Sequence, residues 1–127
     1  MTSPIASYKK TMAQTASPLE NVIALHEKCL VQLNRLRHSI QDGQVSTKAE
    51  SLHKAVEIIT VLDGELDLNQ EEIALPLHLL YQAMLAQLTE ANLKSTVVNV
   101  DHTITWLTEL LETWREIQRE TKSGGKK

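Results

Sequence analysis

The sequence predicts an all-α fold: an antiparallel up-down four-helix bundle with a short N-terminal arm or cap. Three observations point there. Apolar residues recur at alternating steps of three and four through four long segments, the spacing that lines one face of a helix. Glycine and proline number only 4 and 3, and between Pro18 and Lys122 they fall mostly where a helix should start or stop. Phe is absent and the aromatics are Tyr8, Tyr81, Trp106 and Trp114, so the core must be built from Leu, Ile, Val, Ala and Met. That composition suits helices packed on helices.

The elements follow in order. Residues 1–16 form a polar arm, residues 17–121 the bundle, and residues 122–127 (Lys-Ser-Gly-Gly-Lys-Lys) a tail expected to be disordered. The first helix spans about 18–41, opened by Ser17-Pro18-Leu19-Glu20, a capping box with Pro at the first helical position. Its seam is Leu19, Val22, His26, Cys29, Leu33, Leu36 and Ile40, and Asp42-Gly43 closes it. The second spans about 47–66, with Thr47 and Glu50 again in capping-box spacing. Its seam is Leu52, Ala55, Ile59, Leu62 and Leu66, and Glu50 and Lys54 form an i,i+4 pair. The third spans about 70–93 and starts near Asn69, with Glu72 three residues on; Pro76 inside it should kink the helix or delay its regular part to about Leu75. The fourth spans about 96–121 with seam Val97, Val100, Ile104, Leu107, Leu111 and Trp114. Helices of roughly 30–37 Å joined by short turns give the up-down arrangement.

A chain of 127 residues fits one domain. With a formal charge of −3 and a pI of 5.9 there is no basic stripe to attract nucleic acid. No apolar stretch approaches the ~20 residues of a membrane span, so no membrane insertion is expected. The opening Met1–Ser7 has neither a basic nor an apolar region of the signal-peptide kind, and Cys29 is the single cysteine. A cytosolic protein is expected.

The apolar surface exceeds what one core needs. Ile58 and Val61 lie off the second helix's seam. Leu75, Leu79, Ala83 and Ala86 lie beside Ile73, Leu77, Leu80, Met84 and Leu88 on the third, and Trp106, Leu110 and Ile117 flank the fourth's seam. A bundle helix needs about three core positions in seven. Two readings stand: a wide core face, or exposed grooves that receive a partner's amphipathic helices. On the second reading Ile58, Val61, Leu79, Ala83, Trp106, Leu110 and Ile117 are candidate client-binding residues. Trp114, on the seam, should then be the buried indole and Trp106 the exposed one.

The wording of the sequence adds a resemblance. Tyr8-Lys9-Lys10-Thr11-Met12-Ala13-Gln14-Thr15-Ala16-Ser17-Pro18 resembles the opening of the FliS family of flagellin-specific export chaperones, a Tyr, a polar spacer and then T-A-S-P. Leu80-Tyr81-Gln82-Ala83-Met84 is similar to that family's L-Y-D-Y-M, Leu88-Thr89-Glu90-Ala91-Asn92 to its L-x-x-A-N, and Leu107-Thr108-Glu109-Leu110 through Trp114 to its L-x-E-L-x-x-x-W. The blocks occur in the family's order and cover most of the chain. Three places depart: Leu25-His26 where the family has an aromatic, Gln70-Glu71-Glu72-Ile73-Ala74 for Gly-Gly-Glu-Ile-Ala, and Pro76 near a usual Asn. The resemblance implies a chaperone that binds the disordered C-terminal segment of flagellin in the cytosol. It would prevent premature polymerisation and deliver the subunit to the flagellar type III export gate, whose components are further expected partners. It also implies no cofactor and marks Tyr8 as a contact residue of the arm, expected to lie across the client groove as a movable cap.

Rival chemistries fit less well. A di-metal bundle enzyme needs two Glu-x-x-His units, and only Glu50-Ser51-Leu52-His53 matches; no metal site is expected. A histidine phosphotransfer domain would resemble its class through His-Lys-Gly, whereas His53-Lys54-Ala55 lacks the glycine. No Ser/His/Asp or Cys/His set and no phosphate loop suggests catalysis, so the protein is not read as an enzyme. Cys29 reads as a buried packer. His26 reads either as a buried stand-in for an aromatic or as a pH-sensitive client contact. A different rival is a bundle whose spare apolar surface makes a homodimer.

Overall fold

The computed structural model describes residues 18–67 and 69–124, with side chains through residue 121. Four helices follow one another: α1 (Pro18–Asp42), α2 (Val45–Gly64), α3 (Glu71–Lys94) and α4 (Val97–Gly124). Each packs on its two neighbours in the ring α1–α2–α3–α4, back to α1. This is the all-α bundle that the apolar spacing requires, and no strand occurs among the described residues. The expected arm, Tyr8 and Ser17 of the first capping box lie outside those residues.

The first turn at each end shows which local signals operate. Gly43 takes φ +68, and Gln44 N–H donates to Ser39 O at 2.9 Å, closing α1 in the Schellman manner. Helix α2 then starts at Val45, ahead of the expected Thr47 cap, and its N-cap Gln44 makes no side-chain cap bond. The Thr47/Glu50 capping box therefore does not form. Glu50 pairs instead with Lys54 at 3.1 Å and Arg35 at 3.5 Å, and Ser51 Oγ donates to Thr47 O at 2.7 Å. A cation in reach outweighs a cap for a solvated carboxylate. Likewise Asn69 does not cap α3; its N–H donates to Asp67 Oδ1 at 3.1 Å, and Gln70 is the N-cap. At α4 a side-chain cap does form: Val98 N–H donates to Thr96 Oγ1 at 3.3 Å. Ser95, in the left-handed region at φ 49, makes the reversal between α3 and α4.

Helix α3 begins at Glu71 and continues through Pro76, so the proline does not delay it. Only the bond that a residue at 76 would donate to the Glu72 carbonyl is forgone. Helix α4 runs on to Gly124, past the expected stop at Thr121, because Lys122 and Ser123 do not break a helix already propagating.

The core is centred on Cys29, Leu33, Leu36, Ala55, Ile59, Met84, Leu88, Val100 and Leu107. Burying each large aliphatic side chain contributes about 1.5–3 kcal/mol before ordering costs. The seams of α1, α2 and α4 match expectation there. That of α3 does not: Ala74, Tyr81, Met84, Leu88 and Ala91 are buried, while Ile73 is 66% exposed and Leu80 half-buried. Two apolar stripes lie side by side on this helix. The one holding Tyr81 turns inward because its ring fills the core and its hydroxyl finds a buried partner in His26.

Candidate functional site

The antiparallel order brings the start of α1, the end of α2, the start of α3 and the end of α4 to one end of the bundle. There the helices enclose a cavity of about 630 Å³, within the usual size of ligand clefts. Leu19, Val22 and Leu25 come from α1, Leu62 from α2, Leu66 from the segment after it, Ile73, Ala74, Leu77 and Tyr81 from α3, and Trp114 from α4. The wall is almost wholly apolar. Glu20, Glu65 and Asp67 bring carboxylates to the lining and Gln70, Gln118 and Thr121 other polar groups, and no lysine or arginine lines it among the described residues. Partial burial pushes the Glu65 carboxyl above its ordinary range. Asp67 is a hinge pin: its carboxylate accepts from Asn69 N–H and, at 3.4 Å, from Gln70 Nε2, holding the α2–α3 connection beside the cavity.

Beneath the apolar wall lies a polar knot. His26 is fully buried, and its Nδ1 stands 2.8 Å from Val22 O. A carbonyl only accepts, so Nδ1 carries the proton and Nε2 is left as an acceptor, with the Tyr81 hydroxyl 3.4 Å away. Desolvation lowers the His26 pKa below its usual 6.5, against a smaller opposing effect of the Val22 bond. The ring is thus a buried neutral histidine in an aromatic's place, tilted against Tyr81 at 6.3 Å and edge-on to Trp114 at 6.4 Å. Burial raises the Tyr81 hydroxyl's pKa, aided by the negative charge of Asp63.

Trp114 differs from expectation. It is half-buried, meeting His26 of α1 on one side and bordering the cavity on another. Its Nε1 is nevertheless shielded and has no hydrogen-bond partner among the described residues. Such a donor costs about 1–3 kcal/mol when left unpaired. Trp106 is not fully exposed either: it is half-buried, packs on the core cluster and stacks on His102 at 6.2 Å.

None of the candidate client-binding residues among those described lines the cavity. Ile58, Trp106 and Leu110 pack partly on the core, and Ile58 also walls a shallow groove with Lys28, Val31 and Lys54. Ala83 is half-buried. Val61, Leu79 and Ile117 are exposed, Leu79 by 59%. The cavity is built instead from seam residues whose spacing marked them as core. Periodicity reports which face turns inward, not whether the end layers meet. The nearest sequence signal was the pair of apolar stripes on α3, where Ile73 and Leu77 belong to the cavity and Leu79 to the outside.

The one Glu-x-x-His unit faces outward, with Glu50 on Lys54 and Arg35 and His53 on Glu57 at 3.6 Å. No group of three metal-ligating side chains gathers among the described residues, and none of their helices is long and apolar enough to cross a membrane. Cys29 is buried with its thiol pushed up to about 12 by desolvation, unfit as a nucleophile.

The sequence matches the family model described as flagellar protein FliS over residues 1–121. The chain belongs to the FliS family. It is 28% identical over 128 residues to the flagellar secretion chaperone FliS of Bacillus subtilis, an alignment covering 97% of this chain and 96% of that one. To the flagellar secretion chaperone FliS of Vibrio cholerae it is 30% identical over 125 residues, covering 94% and 92%. With that of Salmonella typhimurium it shares 31% over 110 residues, 85% and 82% of the two chains. The blocks from Leu80 and Leu107 place Tyr81 and Trp114 of this FliS family member at the cavity.

Proposed function

We propose that this chain is a non-enzymatic cytosolic chaperone that binds the C-terminal segment of flagellin, prevents its premature polymerisation and assists its export. FliS membership and three relatives named flagellar secretion chaperones support the class. The observation that supports a client site is the apolar cavity at the bundle's open end. It offers an amphipathic segment buried area on arrival, while the ordering cost of a disordered client keeps binding reversible. Val61, Leu79 and Ile117, with Ile58, Ala83, Trp106 and Leu110 beside them, are proposed as secondary contacts where the client continues along the bundle's flank. Export-gate components are proposed receivers of the complex.

Pro18, the first described residue, lines the cavity. The arm, with Tyr8, is proposed as a movable cap that the client displaces. Deleting residues 1–14 should leave the melting temperature within a few degrees and change client affinity; a domain that unfolds on deletion makes the arm structural instead.

The primary test is calorimetric titration with the C-terminal segment of the flagellin from the same genome, beside a flagellin polymerisation assay. Saturable binding and delayed polymerisation are expected, and absence of both removes the reading. The exposed Leu75 and Leu79 favour one rival, a homodimer through α3. Light scattering separates them, since a monodisperse monomer leaves that surface to a client.

A further inference from the structure

We propose that Trp114 is a specificity-determining hydrogen-bond donor of the cavity, and that the client segment docking there presents a carbonyl-type oxygen to its Nε1. This rests on the chaperone reading above and adds to it the chemistry that one client position must have.

Three observations carry the inference. Trp114 forms part of the cavity wall, and its Nε1–H is shielded without a partner. The polar ring beside it has nothing to offer: His26 Nδ1–H is committed to the Val22 carbonyl and Nε2 to the Tyr81 hydroxyl. Gln118, one turn further along α4, and Thr121 also line the cavity, yet neither bonds the indole N–H, and the rest of the wall is mainly aliphatic. The donor is thus left for an acceptor that the occupant brings. Pairing requires the indole to turn its shielded edge toward the cavity it borders.

A purely apolar helix face would fill the volume yet leave the donor unpaired. A segment carrying Asn, Gln, Ser or Thr at the docking position, or ending there with free C-terminal carbonyls, would pair it. Such a site rejects a ligand lacking the acceptor more sharply than a greasy pocket rejects a missing methylene. The Glu65 carboxylate on the lining, with no cation among the described lining residues, favours a client with a basic flank over an acidic one.

The test follows the indole N–H resonances of the full chain by heteronuclear NMR, assigned with Trp106→Phe and Trp114→Phe. On saturation with the flagellin C-terminal segment the Trp114 N–H should move downfield and exchange more slowly with solvent. A chain carrying 3-benzothienylalanine at position 114 keeps the bicyclic ring and lacks the donor. It should be at least as stable as wild type yet bind the client roughly three- to tenfold more weakly, as loss of one hydrogen bond does. An unmoved Trp114 resonance at saturation, or unchanged affinity of the analogue, overturns the proposal and leaves the chaperone reading standing. A downfield resonance already present in the free chain and lost on deleting residues 1–14 also overturns it, since the arm then supplies the acceptor. No binding by wild type defeats the chaperone reading itself.

Discussion

The two ends of the bundle are built differently. At one end the connections are Gly43–Gln44 and Ser95–Thr96, both short and hydrogen-bonded. Gly43 closes α1, Thr96 caps α4, and Lys48 reaches from α2 to donate to Asn92 O at 3.1 Å and Ser95 Oγ at 2.7 Å. That lysine is a cation at the C-terminus of α3, where the helix dipole favours it. Nearby, Arg37 and Asp101 join α1 to α4 at 2.7 Å. At the opposite end the α2–α3 connection from Glu65 to Gln70 is longer, Asp67 braces it, Asp63 joins α2 to His78 at 2.7 Å and Gln82 at 3.0 Å on α3, and the helices border the cavity. One end is closed by short turns and the other opens on the cavity.

The largest expected effects lie where the layers close. Leu33→Ala and Leu107→Ala, both fully buried, should each cost about 2–5 kcal/mol in urea melts and leave client affinity of the folded fraction unchanged. In contrast Leu77→Ala, half-buried on the cavity wall, should cost less stability than either and weaken client binding by about 1–2 kcal/mol. If Leu77→Ala destabilises as much as Leu33→Ala without a binding defect, the distinction between the ends collapses. At the tied end, Gly43→Ala forces a Cβ into the left-handed region at φ +68 and should cost about 1–2 kcal/mol with binding intact.

A smaller effect distinguishes the ends by pH. The folded pKa of His26 lies below the 6.5 of the unfolded chain. Between those values the unfolded state binds more protons, so stability is whole above pH 6.5 and falls as pH drops through the folded value. Urea midpoints should decline from pH 7 to pH 5, and His26→Phe should flatten that decline. The smallest expected signal is chemical. Cys29 should resist thiol reagents until the chain unfolds, and modification at the native rate of a free thiol would mean the middle layers open readily.

Much of this was legible in the residues alone. The spacing of Leu33, Leu36, Ile59, Leu62, Val100, Leu107 and Leu111 determines that helices form and which faces meet, because 3.6-residue periodicity and hydrophobic burial leave few alternatives. Gly43 and Thr96 mark their turns by backbone chemistry that acts within a few residues. The blocks around Tyr81 and Trp114 carry the family. Tertiary structure alone decided the rest. Which of two adjacent stripes on α3 turned inward depended on Tyr81 meeting His26 across the bundle, a contact between residues 55 positions apart. Whether Glu50 capped a helix or paired with Arg35 depended on a neighbouring helix. That Leu66, Leu77 and Trp114 wall a cavity while Leu36, Leu88 and Val100 fill a core follows from how far four helices stay in contact along their length. Periodicity repeats identically from turn to turn and carries no record of that distance.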